Sequence, residues 1–297
     1  MPRKFDVVSF ILKEDIEMNA NYEKYKMLVF DLDGTLLNSK HEITPLTLKV
    51  LLRLRDDFHI IIATGRRLYE IRDILLQLQD LRINEGYIVT ANGSEVFLNN
   101  DLLLRCSIDY SIVREIFKVD REGIDINLYD LHDWYSDREI RSPIMNHFIR
   151  NLGIKPIITD LSDLKINSCS KIVYYSHDLL RLEEFANTLR EKNFKGISMF
   201  YSANDLFEIT NSDASKYNAI KNISLCECIG VDSILAFGDN GNDYEMLKNV
   251  GKGILMKNAH DRVKNSLPNN ELTRFCNDND GVAKFLIEFF DLDIDIN

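Results

Sequence analysis

Cysteine, proline and long apolar runs are all scarce in this chain of 297 residues, and each scarcity excludes a class of protein. Its five cysteines are odd in number and scattered, so we expect reduced thiols rather than the disulfide framework of a small secreted protein. Five prolines and 13 glycines exclude a collagen-like or low-complexity chain. No segment approaches the roughly 20 apolar residues of a membrane span, and the apolar stretch Val7–Leu12 is too short for a signal sequence. We therefore expect a cytoplasmic protein.

Positive charge is also in short supply. The chain has 36 Lys and Arg against 47 Asp and Glu, which gives a net charge of −11. Such a field repels phosphate backbones and anionic membrane surfaces, so we expect neither nucleic acid nor a membrane as a partner. A small anionic substrate is still compatible with this charge if a divalent cation reverses the sign locally. The sequence thus favours a soluble enzyme that acts on small molecules.

Apolar segments of strand length alternate with amphipathic helices at both ends of the chain. The predicted buried strands of this pattern span residues 26–31, 59–63, 87–90 and 233–237. Thr44 before Pro45 predicts a helix start between the first two strands. An order of strand, helix and strand predicts right-handed crossovers and a parallel sheet. We therefore predict an α/β fold with a Rossmann-like parallel-sheet core.

The middle of the chain has a different pattern, in which paired strands are interleaved with two helices. This pattern predicts an inserted α+β domain with an antiparallel sheet, and its length of roughly 100 residues suffices for a domain. The polar connections near Asn99–Asn100 and Asn204–Asp205 suggest hinges. The predicted division is an N-terminal extension at 1–25, a core at 26–101 and 206–297, and an insertion at 102–205.

Polar residues stand where the predicted parallel strands end, and ligands bind at that edge of open parallel sheets. The groups are Asp31–Thr35, Thr64–Arg66, Asn92–Gly93 and Gly238–Asp243. Residues two apart on an extended chain face the same way, so Asp31 and Asp33 should both reach one site. Several carboxylates in one place repel one another unless a cation compensates, and oxygen ligands suit Mg²⁺. The sequence therefore predicts a magnesium site at this edge.

Four motifs in this order resemble those of the haloacid dehalogenase superfamily. They are Phe30–Leu36 (Phe-Asp-Leu-Asp-Gly-Thr-Leu), Ala63–Arg66 (Ala-Thr-Gly-Arg), Lys216 at a predicted helix start, and Gly238–Asp243 (Gly-Asp-Asn-Gly-Asn-Asp). The insertion between the second and third motifs is similar to that of the Cof-type phosphatases, which carry a large α/β cap. The resemblance extends from Met27 to Phe290. It implies a phosphatase of small phosphorylated metabolites, sugar phosphates above all, with Mg²⁺ as cofactor.

The resemblance also implies a role for each motif residue. Asp31 would attack phosphorus to give an aspartyl-phosphate, and Asp33 would protonate the leaving oxygen and then deprotonate water. Mg²⁺ would be held by Asp31, by the main-chain carbonyl of Asp33 and by Asp239, with Asp243 supporting the metal or the lysine. The residues implied to contact the phosphoryl group or the substrate are Thr64, Gly65, Arg66, Asn92, Lys216 and Asn242.

Several alternatives stay open at this point. The lysine of the third motif is commonly followed by Gly in the superfamily, whereas Tyr217 follows Lys216, so Lys221 one helical turn later is its rival. A phosphosugar mutase shares the first motif, and a metabolite-binding regulator could keep the fold without turnover. The sequence names neither the metabolite nor the cap residues that select it, and it leaves open the oligomeric state and the role of residues 1–25.

Overall fold

The computed structural model describes residues 20–81, 86–131, 133–161, 164, 166 and 168–294. Most of the predicted N-terminal extension therefore lies outside the described residues. In chain order the described strands are β1 Met27–Phe30, β2 His59–Ala63, β3 Tyr87–Thr90, β4 Glu95–Leu98, β5 Asp101–Arg105, β6 Ile108–Asp109, β7 Asp125–Tyr129, β8 Trp134–Ser136, β9 Ile157–Ile158, β10 Ser168–Cys169, β11 Lys171–Tyr175, β12 Ile197–Ala203, β13 Leu206–Asn211, β14 Ile234–Gly238, β15 Lys252–Leu255 and β16 Glu271–Leu272. The described α-helices are α1 Ala20–Lys24, α2 Pro45–Leu54, α3 Arg72–Gln77, α4 Tyr110–Phe117, α5 Pro143–Leu152, α6 Leu179–Glu191, α7 Lys216–Cys226, α8 Tyr244–Asn249, α9 Asp261–Ser266 and α10 Gly281–Phe290.

Eight strands form the larger sheet, in the order β16-β15-β14-β1-β2-β3-β4-β5. Strand β1 pairs in parallel with β14 and β2, and parallel pairing continues to β3 on one side and to β16 on the other. Strands β4 and β5 complete the sheet as an antiparallel hairpin. Every residue of β1 is buried, as expected for an apolar run with helices on both faces of its sheet. The predicted parallel-sheet core is confirmed.

Helices cover both faces of the larger sheet. One face packs against α2, α3 and α10, and the other against α7, α8 and α9. Helix α2 begins as predicted, because the Thr44 hydroxyl accepts a hydrogen bond from the Thr47 amide and Pro45 occupies the first helical position. Within the described part of the chain, no helix is both long and apolar enough to cross a membrane.

A smaller sheet of six strands, in the order β12-β13-β11-β7-β8-β9, forms the inserted cap. Its pairs are antiparallel except for β8 and β9, which are parallel. Helices α4 and α6 pack on one face around Ile126, Tyr174 and Phe185. Helix α5 places Met145 on the other face, in one cluster with Val173. The predicted α+β insertion in an α/β core is therefore confirmed.

Both predicted boundaries of the insertion need correction, because each falls within a β-hairpin. The boundary between residues 101 and 102 cuts β5, which pairs with β4 across a tight turn where Asn99 and Asn100 have positive φ values of 54° and 67°. The boundary between 205 and 206 assigns β13 to the core, whereas β13 pairs with β12 and β11 in the smaller sheet. The chain changes sheets after Arg105 and after Asn211. The connections Asn99–Asn100 and Asn204–Asp205 are hairpin turns rather than the predicted hinges.

Candidate active site

The carboxyl ends of four neighbouring strands bring the predicted motifs to one edge of the larger sheet. Strands β3, β2, β1 and β14 lie side by side and are parallel. Asp31 directly follows β1, Thr64 follows β2 and Asp239 follows β14. Asn92 is the second residue after β3 and is separated from it by one alanine. The strand-end argument therefore places these four residues at one edge, where ligands of open α/β sheets bind.

Lys216 lies in the middle of this edge as a fully buried ammonium group. It is the first residue of α7, whose N-cap hydroxyl on Ser215 accepts a hydrogen bond from the Asn218 amide. Its Nζ donates to Asp31 Oδ1 at 2.5 Å and to Asp243 Oδ1 at 2.7 Å. Lys221 is exposed on the same helix, so the structure selects Lys216 as the lysine that meets Asp31.

Asp243 is a buried carboxylate that organises the last motif. Its Oδ2 accepts hydrogen bonds from the amides of Asp239 and Asn240, both at 3.0 Å, while its Oδ1 accepts from Lys216. A Cβ on Gly238 would lie 2.5 Å from Asp243 Cγ, so only glycine lets strand β14 approach this carboxylate. Since both of its oxygens already have partners in the protein, Asp243 is better suited to positioning Lys216 than to offering a free oxygen to a cation.

Asp239 is the third carboxylate of a cluster that has more negative than positive charge. Asp31, Asp239 and Asp243 each offer a carboxylate oxygen, and these oxygens lie within 4.8 Å of one another. Asp239 Oδ1 is buried and has no hydrogen-bond partner among the described residues. Burial and then the neighbouring charge of Asp243 raise the pKa of Asp239 to about 7. An unpartnered carboxylate oxygen in a buried anionic cluster suits a hard divalent cation.

The buried charges of this cluster perturb one another in opposite directions. Burial raises the pKa of Asp31 well above its usual value, and Lys216 opposes this rise. Burial alone would lower the pKa of Lys216, but Asp243 and Asp31 together raise it. Lys216 therefore carries its proton throughout the physiological range. It favours the ionised form of Asp31, which is the form that a nucleophile needs.

The loop after β1 packs closely against Asp239 at Gly34. Gly34 has a φ of +78°, and a Cβ at this position would lie 2.3 Å from Asp239 Oδ2. The side chain of Asn258 donates from Nδ2 to the Gly34 carbonyl at 2.7 Å and accepts from the Asn277 amide at 3.0 Å. Sequence reasoning missed Asn258, although it stands just beyond the end of β15, where the same strand-end argument would have found it.

Asp33 lies apart from the acidic cluster, beside Arg66. Arg66 donates from Nε to Asp33 Oδ2 at 2.7 Å and from Nη2 to Oδ1, and His41 Nδ1 lies 3.6 Å from Oδ1. The Asp33 side chain is 45 % exposed, whereas that of Asp31 is 6 % exposed. The two carboxylates therefore share one strand end but have different environments. Arg66, expected to contact substrate, contacts Asp33 in this structure, and His41 was not predicted.

The remaining predicted residues form a hydrogen-bonded rim around the site. Thr64 is fully buried, and its hydroxyl accepts a hydrogen bond from the Arg66 amide at 3.1 Å. Asn242 Nδ2 donates to Asn92 Oδ1 at 2.9 Å, which joins the last motif to the end of β3. A Cβ on Gly65 would lie 2.8 Å from that same oxygen. The second motif, the third strand end and the last motif thus contact one another.

A second arginine of this loop connects the core to the cap, and sequence reasoning gave no hint of it. Arg67 is 1 % exposed, and its guanidinium lies 4.1 Å from the ring centroid of Tyr69 and 4.4 Å from that of Tyr129 in the cap. It also donates to Glu70 Oε1 at 3.1 Å and to the Asp133 carbonyl at 3.3 Å. The residue after Arg66 is therefore held by the cap.

Comparisons with known proteins agree with this geometry. A family model described as haloacid dehalogenase-like hydrolase matches residues 28–286. A Haemophilus influenzae protein named "Putative phosphatase" is 31 % identical over 273 residues, covering 91 % of this chain and 98 % of the relative. The crystal structure of a haloacid dehalogenase-like hydrolase from Bacteroides thetaiotaomicron matches with a TM-score of 0.76 at 25 % identity, over 90 % of this chain and 100 % of that chain. A structure titled as a subclass IIB sugar phosphatase shares the fold, with a TM-score of 0.74 at 22 % identity over 89 % of this chain and 98 % of that chain.

Proposed function

This chain belongs to the haloacid dehalogenase-like hydrolases, and from that membership we propose that it is a Mg²⁺-dependent phosphatase of small phosphorylated metabolites. The observation that carries the proposal is the buried contact of Lys216 with Asp31 and Asp243, beside Asp239 Oδ1, which has no hydrogen-bond partner in the described part of the chain. Attack on a phosphate ester requires a carboxylate whose ionised form is favoured by a neighbouring ammonium, beside residues that suit a cation, because charge neutralisation dominates phosphoryl transfer. The 31 % sequence identity to a relative named "Putative phosphatase" supports the same reaction class.

The residues present fit a divalent cation. Asp31 and Asp239 would hold it together with the main-chain carbonyl of Asp33. The Asp239 Oδ1 that none of the described residues hydrogen-bonds supports this ligand set. The bound ion would neutralise charge on the phosphoryl group. Asp243 would not bind the ion but would position Lys216 and the amides of the last motif.

Asp31 would act as the nucleophile of a two-step reaction. In the first step an Asp31 carboxylate oxygen forms a bond to phosphorus while the bond from phosphorus to the leaving oxygen breaks, which gives an aspartyl-phosphate. In the second step water attacks that phosphorus, the bond to Asp31 breaks, and inorganic phosphate leaves. Because Lys216 donates to Oδ1, attack would come from Oδ2.

Asp33 would move the protons of both steps. It would give a proton to the leaving alkoxide and later take one from the attacking water. Arg66 holds both of its oxygens in this structure, so Asp33 must exchange this contact for the leaving oxygen when substrate arrives. Arg66 would then be available to the phosphoryl group. The 45 % exposure of the Asp33 side chain leaves room for this exchange.

The proposal is tested by activity and by trapping of the intermediate. Wild-type protein should release phosphate from p-nitrophenyl phosphate with Mg²⁺, lose this activity in excess EDTA, and regain it with Mg²⁺. Asp31→Asn should lose turnover and form no acid-stable, hydroxylamine-sensitive phosphoprotein. Lys216→Met should also lose turnover, whereas the matched change Lys221→Met, on the exposed face of the same helix, should not. Full activity in EDTA, or an active Asp31→Asn variant, would refute the proposal.

A further inference from the structure

The loop of the second motif is fixed on two sides. On the core side, the Thr64 hydroxyl accepts from the Arg66 amide at 3.1 Å, and the Arg66 carbonyl accepts from the Ala91 amide at 2.8 Å. On the other side the chain continues into Arg67, whose guanidinium is buried against the cap. Only one peptide unit, about 3.8 Å between Cα atoms, separates the two arginines. A displacement of Arg67 therefore moves the backbone of Arg66.

The core supplies the local half of the surroundings of Arg67. Arg67 is the N-cap of a short 3₁₀ turn, Leu68–Ile71. Glu70 closes this turn by accepting from the Arg67 amide at 2.8 Å and from Nη2 at 3.1 Å. The Tyr69 ring centroid lies 4.1 Å from the guanidinium carbon. All of these partners lie within three positions of Arg67, so they hold it in its own turn without help from the cap.

The cap supplies the other half of these surroundings, from β7 and from the connection between β7 and β8. Arg67 Nη1 donates to the Asp133 carbonyl at 3.3 Å, and the Tyr129 ring centroid lies 4.4 Å from the guanidinium carbon. Tyr129 is stacked on Trp134, with ring centroids 5.5 Å apart, and the Trp134 indole donates to Asn127 Oδ1 at 2.8 Å. The aromatic partner of Arg67 is therefore itself fixed within the cap sheet.

The charge of Arg67 makes this contact sensitive to the position of the cap. Its side chain is only 2 % exposed, and Glu70 is its carboxylate partner. A buried guanidinium has lost its water, so it depends on the ring and the carbonyl of the cap for the interactions that replace it. Separation of the cap from the core would remove both. The conformation of the second-motif loop and the position of the cap are therefore coupled.

The place of Arg67 in the chain links this contact to the proposed active site. Arg105, at the end of β5, also joins the core to the cap, because it binds Asp130. Its neighbours in the chain belong to no motif. Arg67 instead follows Arg66, whose guanidinium binds both oxygens of Asp33. A cap contact at Arg67 thus acts on the loop that holds the Asp33 carboxylate, which a contact at Arg105 does not.

We propose that Arg67 is a positioning residue, through which the cap fixes the Arg66 guanidinium against the Asp33 carboxylate. The inference rests on the proposed phosphatase function, in which Asp33 moves the protons and Arg66 becomes available to the phosphoryl group. Arg67 is not itself a catalytic residue, because its guanidinium is enclosed by its own turn and by the cap. Its loss should act through Arg66, by releasing that side chain from the position in which it orients Asp33.

Steady-state kinetics on the full chain test this role through the leaving group. The substrates are glycerol 3-phosphate, whose alkoxide needs an acid, and p-nitrophenyl phosphate, whose phenolate needs less help. Arg67→Met should lower the ratio of kcat for the first ester to kcat for the second about tenfold, because a misplaced general acid loses part of its contribution. In the Arg66→Met background the same change should move the ratio less than about twofold, because the residue through which Arg67 acts is gone. The matched control is Arg105→Met, which removes another arginine between core and cap and should leave the ratio unchanged in both backgrounds.

Urea unfolding of each variant ensures that only folded proteins are compared. If Arg67→Met does not fold, Arg67→Lys replaces it with the same expectation, because lysine keeps the charge but lacks the planar fork that reaches Glu70 and the Asp133 carbonyl together. Equal losses with both esters would refute the inference, and so would a loss that persists undiminished in the Arg66→Met background. An unchanged ratio in a protein of lowered stability would show that Arg67 has a structural role alone.

Binding of inorganic phosphate separates this inference from the phosphatase proposal. Wild-type protein that hydrolyses neither ester would refute the phosphatase proposal, and phosphate binding would then decide the role of Arg67. The same measurement decides it if Arg66→Met is too slow for kinetics. Isothermal titration with phosphate and Mg²⁺ should give a Kd that Arg67→Met raises about threefold or more in the wild-type background and leaves constant in the Arg66→Met background. A Kd that changes equally in both backgrounds, or the absence of phosphate binding by the wild-type protein, would refute the inference.

Discussion

Replacing Asp239 with Asn should stabilise the metal-free protein at pH 8, although Asp239 belongs to the proposed metal site. Asp239 shares its surroundings with the carboxylates of Asp31 and Asp243, and its Oδ1 has no hydrogen-bond partner among the described residues. Its pKa rises from the ordinary 3.8 to about 7, first because of burial and then because of Asp243. This difference corresponds to about 4 kcal/mol of destabilisation when the carboxyl is ionised, and relaxation of the site makes that an upper limit.

The sign of the effect follows from the direction of the pKa change. A carboxyl whose pKa is higher in the folded than in the unfolded protein stabilises the fold below its unfolded pKa and loses that contribution as the pH rises through its folded pKa. The gain from Asp239→Asn should therefore be small near pH 4, reach about 2 kcal/mol at pH 5 and be complete above pH 7. Urea unfolding in EDTA at pH 5 and pH 8, followed by circular dichroism, measures this change. Asp101→Asn, on the exposed edge strand β5, is the control.

Magnesium should make the wild-type protein more stable than Asp239→Asn, the reverse of their order in EDTA. At pH 8 the ion should stabilise the wild-type protein, because it compensates the crowded carboxylates, and it should have little effect on Asp239→Asn. The reasoning would be refuted if Asp239→Asn destabilised the metal-free protein at pH 8. It would also be refuted if the change in the free energy of unfolding were the same at both pH values.

Three further predictions concern the loops that hold the site. Gly34→Ala should lose most of its kcat/KM for p-nitrophenyl phosphate, because the new Cβ would lie 2.3 Å from Asp239 Oδ2; a fully active variant would contradict the close approach. Asp33→Asn should lose roughly 10²- to 10⁴-fold in kcat with alkyl phosphates and less with p-nitrophenyl phosphate, whose phenolate needs less help from an acid; equal losses would argue against proton transfer by Asp33. Arg67→Met should lower the free energy of unfolding, measured in urea, by about 3 kcal/mol, since it removes a buried cation from Glu70 and from the ring of Tyr129. A loss below about 0.5 kcal/mol is typical of surface substitutions and would contradict a stabilising role for Arg67.

The strand ends were predictable because their physical cause is local. A strand buried on both faces must be apolar along its whole length, and parallel strands must end at one edge of their sheet. These two rules suffice to place Asp31, Thr64, Asn92 and Asp239 together from the sequence. They also apply to Asn258, which stands just beyond the end of β15 and supports the Gly34 loop.

The partners that each side chain selects were not predictable, because they depend on distances between segments far apart in the chain. Lys216 and Lys221 share a helix and a residue type, and only the packing of α7 makes one buried and the other exposed. The pairing of Arg66 with Asp33 depends likewise on the relative positions of two loops. The predicted boundaries of the cap were wrong for a related reason. The alternation of side chains identifies β13 as a strand, but it does not say which sheet the strand joins.

The charges of the site couple the two halves of the core across the cap. Asp31 is buried next to β1, while its counter-ion on Lys216 comes 185 positions later in the chain, and Asp243 follows Lys216 by 27 positions. Removing one partner of such a buried pair costs about 3–5 kcal/mol, so neither half can bury its charges without the other. We therefore expect formation of the site and closure of the parallel sheet to be cooperative, because the pairing of β14 with β1 and the contact of Lys216 with Asp31 join the same two halves of the core. The cap can be inserted without weakening this unit, because the chain leaves the core after the β4–β5 hairpin and returns just before α7, so that the two junctions lie outside the pairs that bury the charges.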